Sequence, residues 1–299
     1  MTETIETPSA GWRMKVAAFS LAVSIFAVLW FMIAALGTKF GWWGWQVGLG
    51  QMTIGTGPKI AIGAVGLSLI AQVIALIKAP RVQPFIIALA ATLIAAMCMF
   101  RLIGMGTQAN ALPPLHEVQT DWSDPVPFSA AILEARKTDG AMNAIEDAPK
   151  IVLPGPGYLE RWPGLNGRLV SEVQEEAEAQ EAGKRNVYPK LAPLYFSGSP
   201  TELAALTTKL ISKKGWKIVT PAPDNGDTGE EIIIEATATS GWFGFKDDVA
   251  IRIRPVESAT RVDMRSISRV GLSDLGLNSK RVSGFMYDLQ DKADGRDAP

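Results

Sequence analysis

Apolar residues run almost unbroken through the first hundred positions and then give way to short, patterned groups. Val16 to Leu36 is a set of Ala, Val, Leu, Ile, Phe, Met and Trp interrupted only by Ser20 and Ser24. About 20 such residues cross the hydrocarbon core of a bilayer as a helix. A signal peptide has an apolar core of about 7 to 15 residues, so the small residues that follow (Ala34, Ala35, Gly37) do not make this segment a cleaved leader. Comparable runs cover Ile60 to Ile77 and Phe85 to Ile103, joined by the short basic link Lys78 to Pro84. The pattern predicts three transmembrane helices. Gly37 to Lys59, with Trp42, Trp43 and Trp45 among glycines, reads as an interfacial loop, because indole favours the headgroup level. Gly63 and Gly66, with Ala61 and Ala64, offer the second span a small-residue face for close helix packing.

After Gly104 the periodicities change. Leu112 to Gly167 is rich in Pro and Gly and predicts an extended arm with one strand around Pro127 to Arg136. Glu172, Glu175, Glu176, Glu178 and Glu181 form an acidic run with helical spacing, expected as a solvated helix or linker. Leu203, Leu206, Leu210 and Ile211 recur at helical spacing across Pro200 to Lys213, with Ser199 or Thr201 as a cap. Four β-rich runs follow, Trp216 to Thr220, Glu231 to Ala238, Trp242 to Ile253 and Arg261 to Ser268, separated by turn signals at 224–226, 239–241 and 255–259. A closing helix from Asn278 to Leu289 puts Val282, Phe285, Met286 and Leu289 on one face.

This order predicts a membrane protein in which three transmembrane helices precede a soluble α+β domain, an antiparallel sheet with helices packed on one face. The expected divisions are 1–15 for an N-terminal segment, 16–104 for the membrane block, 105–190 for a linker, 191–291 for the α+β domain and 292–299 for a disordered tail. Val249, Ile251 and Ile253 share one sheet face and Ala250, Arg252 and Arg254 the other. Arg261, Asp263 and Arg265 continue the second set, so one face is apolar and the other carries a ladder of Arg and Asp.

Composition sharpens this picture. The 299 residues carry a net charge of −1 with 47% apolar content, and no basic run or aromatic platform points to nucleic acid. The single cysteine, Cys98, lies in an apolar run and the single histidine, His116, in a Pro-flanked loop. Neither a disulfide framework nor a Cys/His zinc site can be built from them, and no cofactor is expected. No ionisable residue lies deep in a span, which argues against an ion pathway. Arg13, Lys15, Lys78 and Arg81 fall on one side of the membrane, while Lys39 and Lys59 oppose them. The positive-inside bias then places the N-terminus in the cytoplasm and everything after Gly104 outside, in the periplasm of a bacterial inner membrane.

Two phrases carry a resemblance: Gly241-Trp-Phe-Gly-Phe-Lys-Asp-Asp-Val249, and Arg265-Ser-Ile-Ser-Arg-Val-Gly-Leu-Ser-Asp-Leu-Gly-Leu-Asn278 followed by Arg281. Together they resemble the family called domain of unknown function 1499, in its membrane-anchored branch. Leu115-His-Glu-Val-Gln-Thr-Asp-Trp-Ser-Asp-Pro125 with Phe128 is similar to the opening segment of that branch, so the resemblance spans about Leu112 to Leu289. A cysteine motif of some relatives is absent, and no thiol role carries over. The resemblance implies no activity.

The phrases bring Asp247, Asp248, Arg265, Arg269, Ser273, Asp274, Asn278 and Arg281 into two short windows. One reading is structural: Asp247 and Asp248 pair with Arg265 or Arg269 across strands, while Ser273 or Asn278 caps the closing helix. A second is recognition of an anionic group by Arg265, Arg269 and Arg281 with Asn278 and Ser273, supported by Asp247, Asp248 and Asp274. Its partner is a lipid headgroup, a small envelope metabolite or an acidic segment of an envelope protein. A third is metal-assisted hydrolysis at Asp247, Asp248 and Asp274. Neighbouring side chains on a strand point to opposite faces, which weighs against that triad. No catalytic residue and no metal ligand is assigned.

Overall fold

The computed structural model describes residues 11–181, 188–223 and 231–295. The turn expected at 224–226 therefore lies outside the described residues, as do 1–10 and 296–299. The chain divides into two units, one of residues 1–108 with 241–244 and the other of 109–240 with 245–299. The first holds the helices long and apolar enough to cross a membrane: α1 (Gly11–Lys39), α2 (Gly57–Leu76) with a π-helical segment Gln46–Thr56 leading into it, and α3 (Val82–Ala111). The stretch expected as a loop from Gly37 to Lys59 is thus mostly helical. Its glycines allow this by close approach: a Cβ on Gly48 would collide with Thr38 Oγ1 and the Ala34 carbonyl of α1.

Alanines, rather than Gly63 and Gly66, make the contacts between spans. Both glycines have nothing near the Cβ direction. Ala27, Ala64 and Ala95 form one buried set, and Ala17, Ala71 and Ala88 another. Small side chains let backbones approach where lipid offers no hydrophobic drive. The Thr92 hydroxyl meets the Gln72 amide at 2.5 Å and Ser68 Oγ at 2.9 Å, which satisfies these polar groups between helices. Arg13 is buried and donates to the carbonyls of Ala75 (3.3 Å), Lys78 and Ala79 (2.9 Å), closing the C-terminal end of α2.

In the second unit the order is β1 (Glu117–Gln119), α4 (Ala130–Thr138), α5 (Pro156–Arg161), α6 (Val170–Glu181), β2 (Leu194–Phe196), α7 (Pro200–Lys213), β3 (Lys217–Thr220), β4 (Ile232–Thr239), β5 (Lys246–Val256), β6 (Ala259–Ser268) and α8 (Leu277–Ala293). The sheet is antiparallel in the order β1-β6-β5-β4-β3, and β2 also pairs with β6, so β1 and β2 lie end to end along its outer edge. Strand β5 begins at Lys246, later than expected, because Ser240 and Phe245 close a loop that holds Trp242 (Ser240 N to Phe245 O, 2.8 Å).

The helix at Pro200–Lys213 forms as its spacing predicts. Ser199 Oγ accepts from Glu202 N and the Glu202 carboxylate returns to Ser199 N, a complete capping box. Leu203, Leu210 and Ile211 of α7 and Val282, Phe285 and Leu289 of α8 bury against Ile234, Val249, Ile251, Ile253, Val262 and Met264. That is the apolar face.

The segment before α6 departs from the expected arm. Where a strand was expected at Pro127 to Arg136, Ala130–Thr138 is helical, since Ala, Leu, Glu and Arg are strong helix formers after Ser129. Leu112, Leu115, Ile151 and Leu153 join Val170, Val173, Ala177 and Tyr188 in a second buried cluster. The acidic run is a helix with one face buried. Its Gln174 side chain accepts from Gln119 N (3.2 Å) and donates to Gln119 O (3.0 Å), serving β1 as a neighbouring strand would. Residues 292–293, expected in a disordered tail, complete α8.

Candidate functional site

Pairing in the sheet decides where the signature residues go. Asp247 lies opposite Ser268 and Asp248 opposite Ile267. Being adjacent on a strand, the two aspartates face opposite sides. Asp247 turns towards α8 and Asp248 towards the segment that contains α4.

On the α8 side, Arg281 Nη2 meets Asp247 Oδ2 at 2.5 Å, and its Nη1 reaches Ser266 Oγ at 3.1 Å and the Asn278 carbonyl. Asn278 is fully buried: its amide donates to His116 O (2.9 Å) and Ser268 Oγ (3.0 Å), and its carbonyl accepts from Ser266 Oγ (2.8 Å). The helix is capped by neither Ser273 nor Asn278. Asp274 accepts from Gly276 N (2.8 Å) and Asn278 N (2.7 Å), while Ser273 Oγ accepts from Leu275 N (3.2 Å). Gly276 at φ 79° makes the left-handed turn that lets Asp274 reach back to the helix start. Burial, opposed by those two backbone donors, raises the Asp274 carboxyl to about 6.

On the other face, Asp248 is saturated. Its Oδ2 accepts from Arg136 Nη1 (2.7 Å) and Arg269 Nε (2.9 Å), and its Oδ1 from Arg269 Nη2 (2.7 Å) and Thr237 Oγ1 (2.8 Å). The Arg269 fork on one carboxylate is the bidentate geometry that gives guanidinium its strength. The remaining Arg269 nitrogen donates to Ala135 O (3.2 Å) and Asp139. Arg265, also fully buried, pairs with Glu117 and donates to Val126 O (3.0 Å) and Glu146 O (2.5 Å), its guanidinium over the Phe128 ring at 5.6 Å. Burial, partly offset by Arg265, raises the Glu117 carboxyl.

The opening motif completes the layer. Asp121 binds Arg261 at 2.6 Å, and Asp124 binds Arg252 and Arg254. Arg252 and Arg261 also hold the buried Asp263 at 3.2 and 2.8 Å. Despite burial, hydrogen bonds from Ser123 and Arg261 hold Asp121 below the usual carboxylate range. The ladder of Arg and Asp is therefore not a bare surface; residues 117–146 lie over it. His116 beside it is held neutral, its pKa lowered to about 4 chiefly by burial.

A family model described as "Protein of unknown function (DUF1499)" matches residues 117–289. The chain belongs to this family. The matched unit opens at the first residue of β1 and closes at Leu289, the last apolar anchor of α8, so it takes in the covering segment as well as the sheet. No curated protein matches the chain. Within the family phrases, the structure joins Asp248 to Arg269 and Asp247 to Arg281, and takes Arg265 away to Glu117. Asp247, Asp248 and Asp274 do not converge, and no group of three or more His, Cys, Asp or Glu suited to a metal occurs among the described residues. Glu117, Arg136 and Asp139, which sequence reasoning did not assign to the site, are the missing partners. Nothing local sets them apart from the other charged residues of that stretch, Asp121, Asp124, Glu134 and Lys137.

Proposed function

We propose that this member of the DUF1499 family is a membrane-tethered, non-catalytic interaction module of the bacterial envelope, with its family domain in the periplasm and its signature charges serving as scaffold. The observation that carries this reading is the saturation of Asp248 together with the pairing of Arg265, Arg269 and Arg281, although Glu117 Oε2 beside Arg265 is buried without a hydrogen-bond partner. Asp248 alone accepts four hydrogen bonds from its neighbours. A catalytic carboxylate or a metal ligand needs a lone pair open to the reacting species, and removing one partner of such a pair costs about 3–5 kcal/mol. The outward orientation rests on Arg13, Lys15, Lys78 and Arg81, and a C-terminal alkaline phosphatase fusion tests it: activity supports the periplasm, and its absence moves the domain to the cytoplasm.

Anion recognition at Arg265, Arg269 and Arg281 with Asn278 and Ser273 is the second reading. It narrows to Arg281, whose side chain is 14% exposed against 6% for Arg269 and 0% for Arg265. Thermal melting of the detergent-solubilised full chain separates the readings. The scaffold account expects no shift with phosphate, calcium, magnesium or manganese. A phosphate shift lost in Arg281→Gln establishes the anion site instead. A metal shift lost in both Asp247→Asn and Asp274→Asn establishes the alternative, a metal-assisted hydrolase.

A further inference from the structure

The edges of the family sheet are not finished alike. At β1 the Gln174 side chain serves the outer backbone groups, Gln119 N at 3.2 Å and Gln119 O at 3.0 Å. At the far edge β3 is irregular, with a register shift between Ile218 and Thr220 of the kind that discourages further pairing. β2 is the exception: it pairs with β6 on one side, and among the described residues no strand pairs with the other. Pro193, which has no N–H, closes this edge before Leu194, and the capped start of α7 closes it after Gly198. The unpaired edge is short and sharply bounded.

Leu194 and Phe196 turn to the apolar side with α7 and α8, and a cleft opens beside each. The one beside Leu194, about 220 Å³, is lined by Lys190, Leu191, Met286 and Tyr287. The one beside Phe196, about 230 Å³, is lined by Glu202, Leu206 and Asp294. Both are smaller than an ordinary small-molecule site and suit single side chains. Tyr195, between them, turns to the opposite face across from Arg261 and is 59% exposed, while Tyr287 on α8 is 69% exposed. The edge also has a polarity, basic at Lys190 and acidic at Glu202 and Asp294. A two-fold axis at Tyr195 lays a second copy of this edge antiparallel to the first, so that basic end meets acidic end. Leu194 of one copy then lies opposite Phe196 of the other, cleft against cleft, and Tyr195 opposite Tyr195 as a cross-strand aromatic pair.

We propose that two copies of this chain associate through the β2 edge, joined antiparallel about Tyr195 into one continuous sheet, with Tyr287 of each copy entering the Phe196 cleft of the other. Main-chain hydrogen bonds supply the affinity and the clefts set the register. Copies anchored in one bilayer meet at high effective concentration, so a modest interface suffices. None of the signature charges lines either cleft, and the proposal therefore stands apart from their role as scaffold.

The test uses the full chain, reconstituted at low density in vesicles of phosphatidylcholine and phosphatidylglycerol, in a Cys98→Ser background. Single cysteines are placed by Tyr195→Cys, Ala192→Cys and Ser197→Cys, all at exposed positions, and disulfide formation between copies is followed under mild oxidation. On the axis, position 195 meets its own copy at a Cα separation of about 5 Å, within disulfide reach. Positions 197 stand about 13 Å from their copies and positions 192 about 20 Å. The proposal expects cross-linking several-fold faster at 195 than at 192 or 197, and several-fold slower at 195 once Lys190→Glu reverses the basic end. Equal rates at the three positions overturn it, as does a chain that stays monomeric throughout, which would leave the edge to a strand of another protein. Should Tyr195→Cys fail to fold, nitroxides on Ser197→Cys read the same pairing: one short distance between copies is expected, and no dipolar coupling between them overturns the proposal.

Discussion

The two faces of the family sheet are both buried, and they are buried by different physics. Under α7 and α8, Ile251, Ile253, Val262 and Met264 meet Ile211 and Phe285 with complete exclusion of solvent. Across the sheet, the interleaved positions Asp248, Asp263 and Arg265 are equally inaccessible but are covered by the 117–146 segment through ion pairs. An apolar face tolerates exchange of similar volumes. A charged one is satisfied by a single arrangement, since each unmatched group carries its full desolvation cost. The helix side supplies cohesion, and the charged side fixes where a Pro-rich segment without long apolar repeats must lie.

The sharpest way to break this contrast is on the charged side. Arg265→Met should lower unfolding stability by about 3–5 kcal/mol, because Glu117 is left as a buried uncompensated charge. Adding Glu117→Leu should restore about 2 kcal/mol, which urea titration of both variants measures. Failure of the second change to recover anything would mean that the carbonyl bonds to Val126 and Glu146, not the ion pair, carry the cost. On the apolar side, Ile251→Ala should cost about 3 kcal/mol and Ile251→Val only about 1. There is no second change on this face that rescues by charge removal, and that asymmetry is the comparison in measurable form.

A smaller effect appears with pH. Burial raises Asp274 from 3.8 to about 6, so the folded chain holds that proton more tightly. Its contribution is complete below about pH 4 and fades as pH rises towards 6. Burial lowers His116 from 6.5 to about 4, the reverse case: its contribution is present above about pH 6.5 and is lost as pH falls towards 4. The two oppose each other in one window. Relative to the parent, Asp274→Asn should tilt stability upward with pH between 4 and 6.5 and His116→Gln should tilt it downward, each by about 3 kcal/mol. Urea midpoints across that range check both signs. Smallest of all, Ser199→Ala removes half of the α7 capping box and should cost about 1 kcal/mol, seen as a fall in the thermal midpoint.

Legibility followed the range of the interactions. The α7 box is written within Ser199 to Glu202, and the Val282, Phe285, Met286 and Leu289 stripe within one helix, so periodicity and capping rules suffice. Alternation along β5 and β6 likewise separated Ile251 from Arg252. The partners of the charged residues are another matter. Glu117 lies 148 residues from Arg265, and Arg136 lies 112 from Asp248, distances at which no local rule acts. Two errors had local remedies. Pro125 and Pro127 suggested an extended chain although Ser129 and the Ala, Leu, Glu and Arg that follow are helix signals, and the glycines of 46–56 suggested a loop although close approach to α1 uses them within a helix.

The central claim, that the family charges are scaffold, is tested most directly by a double-mutant cycle on Asp248 and Arg269 in the full chain, read by urea unfolding. The account predicts that Asp248→Asn and Arg269→Gln each destabilise strongly, with a coupling energy of about 2 kcal/mol or more between them. Single variants as stable as the parent, with effects that simply add, would contradict it and return these residues to the service of a ligand.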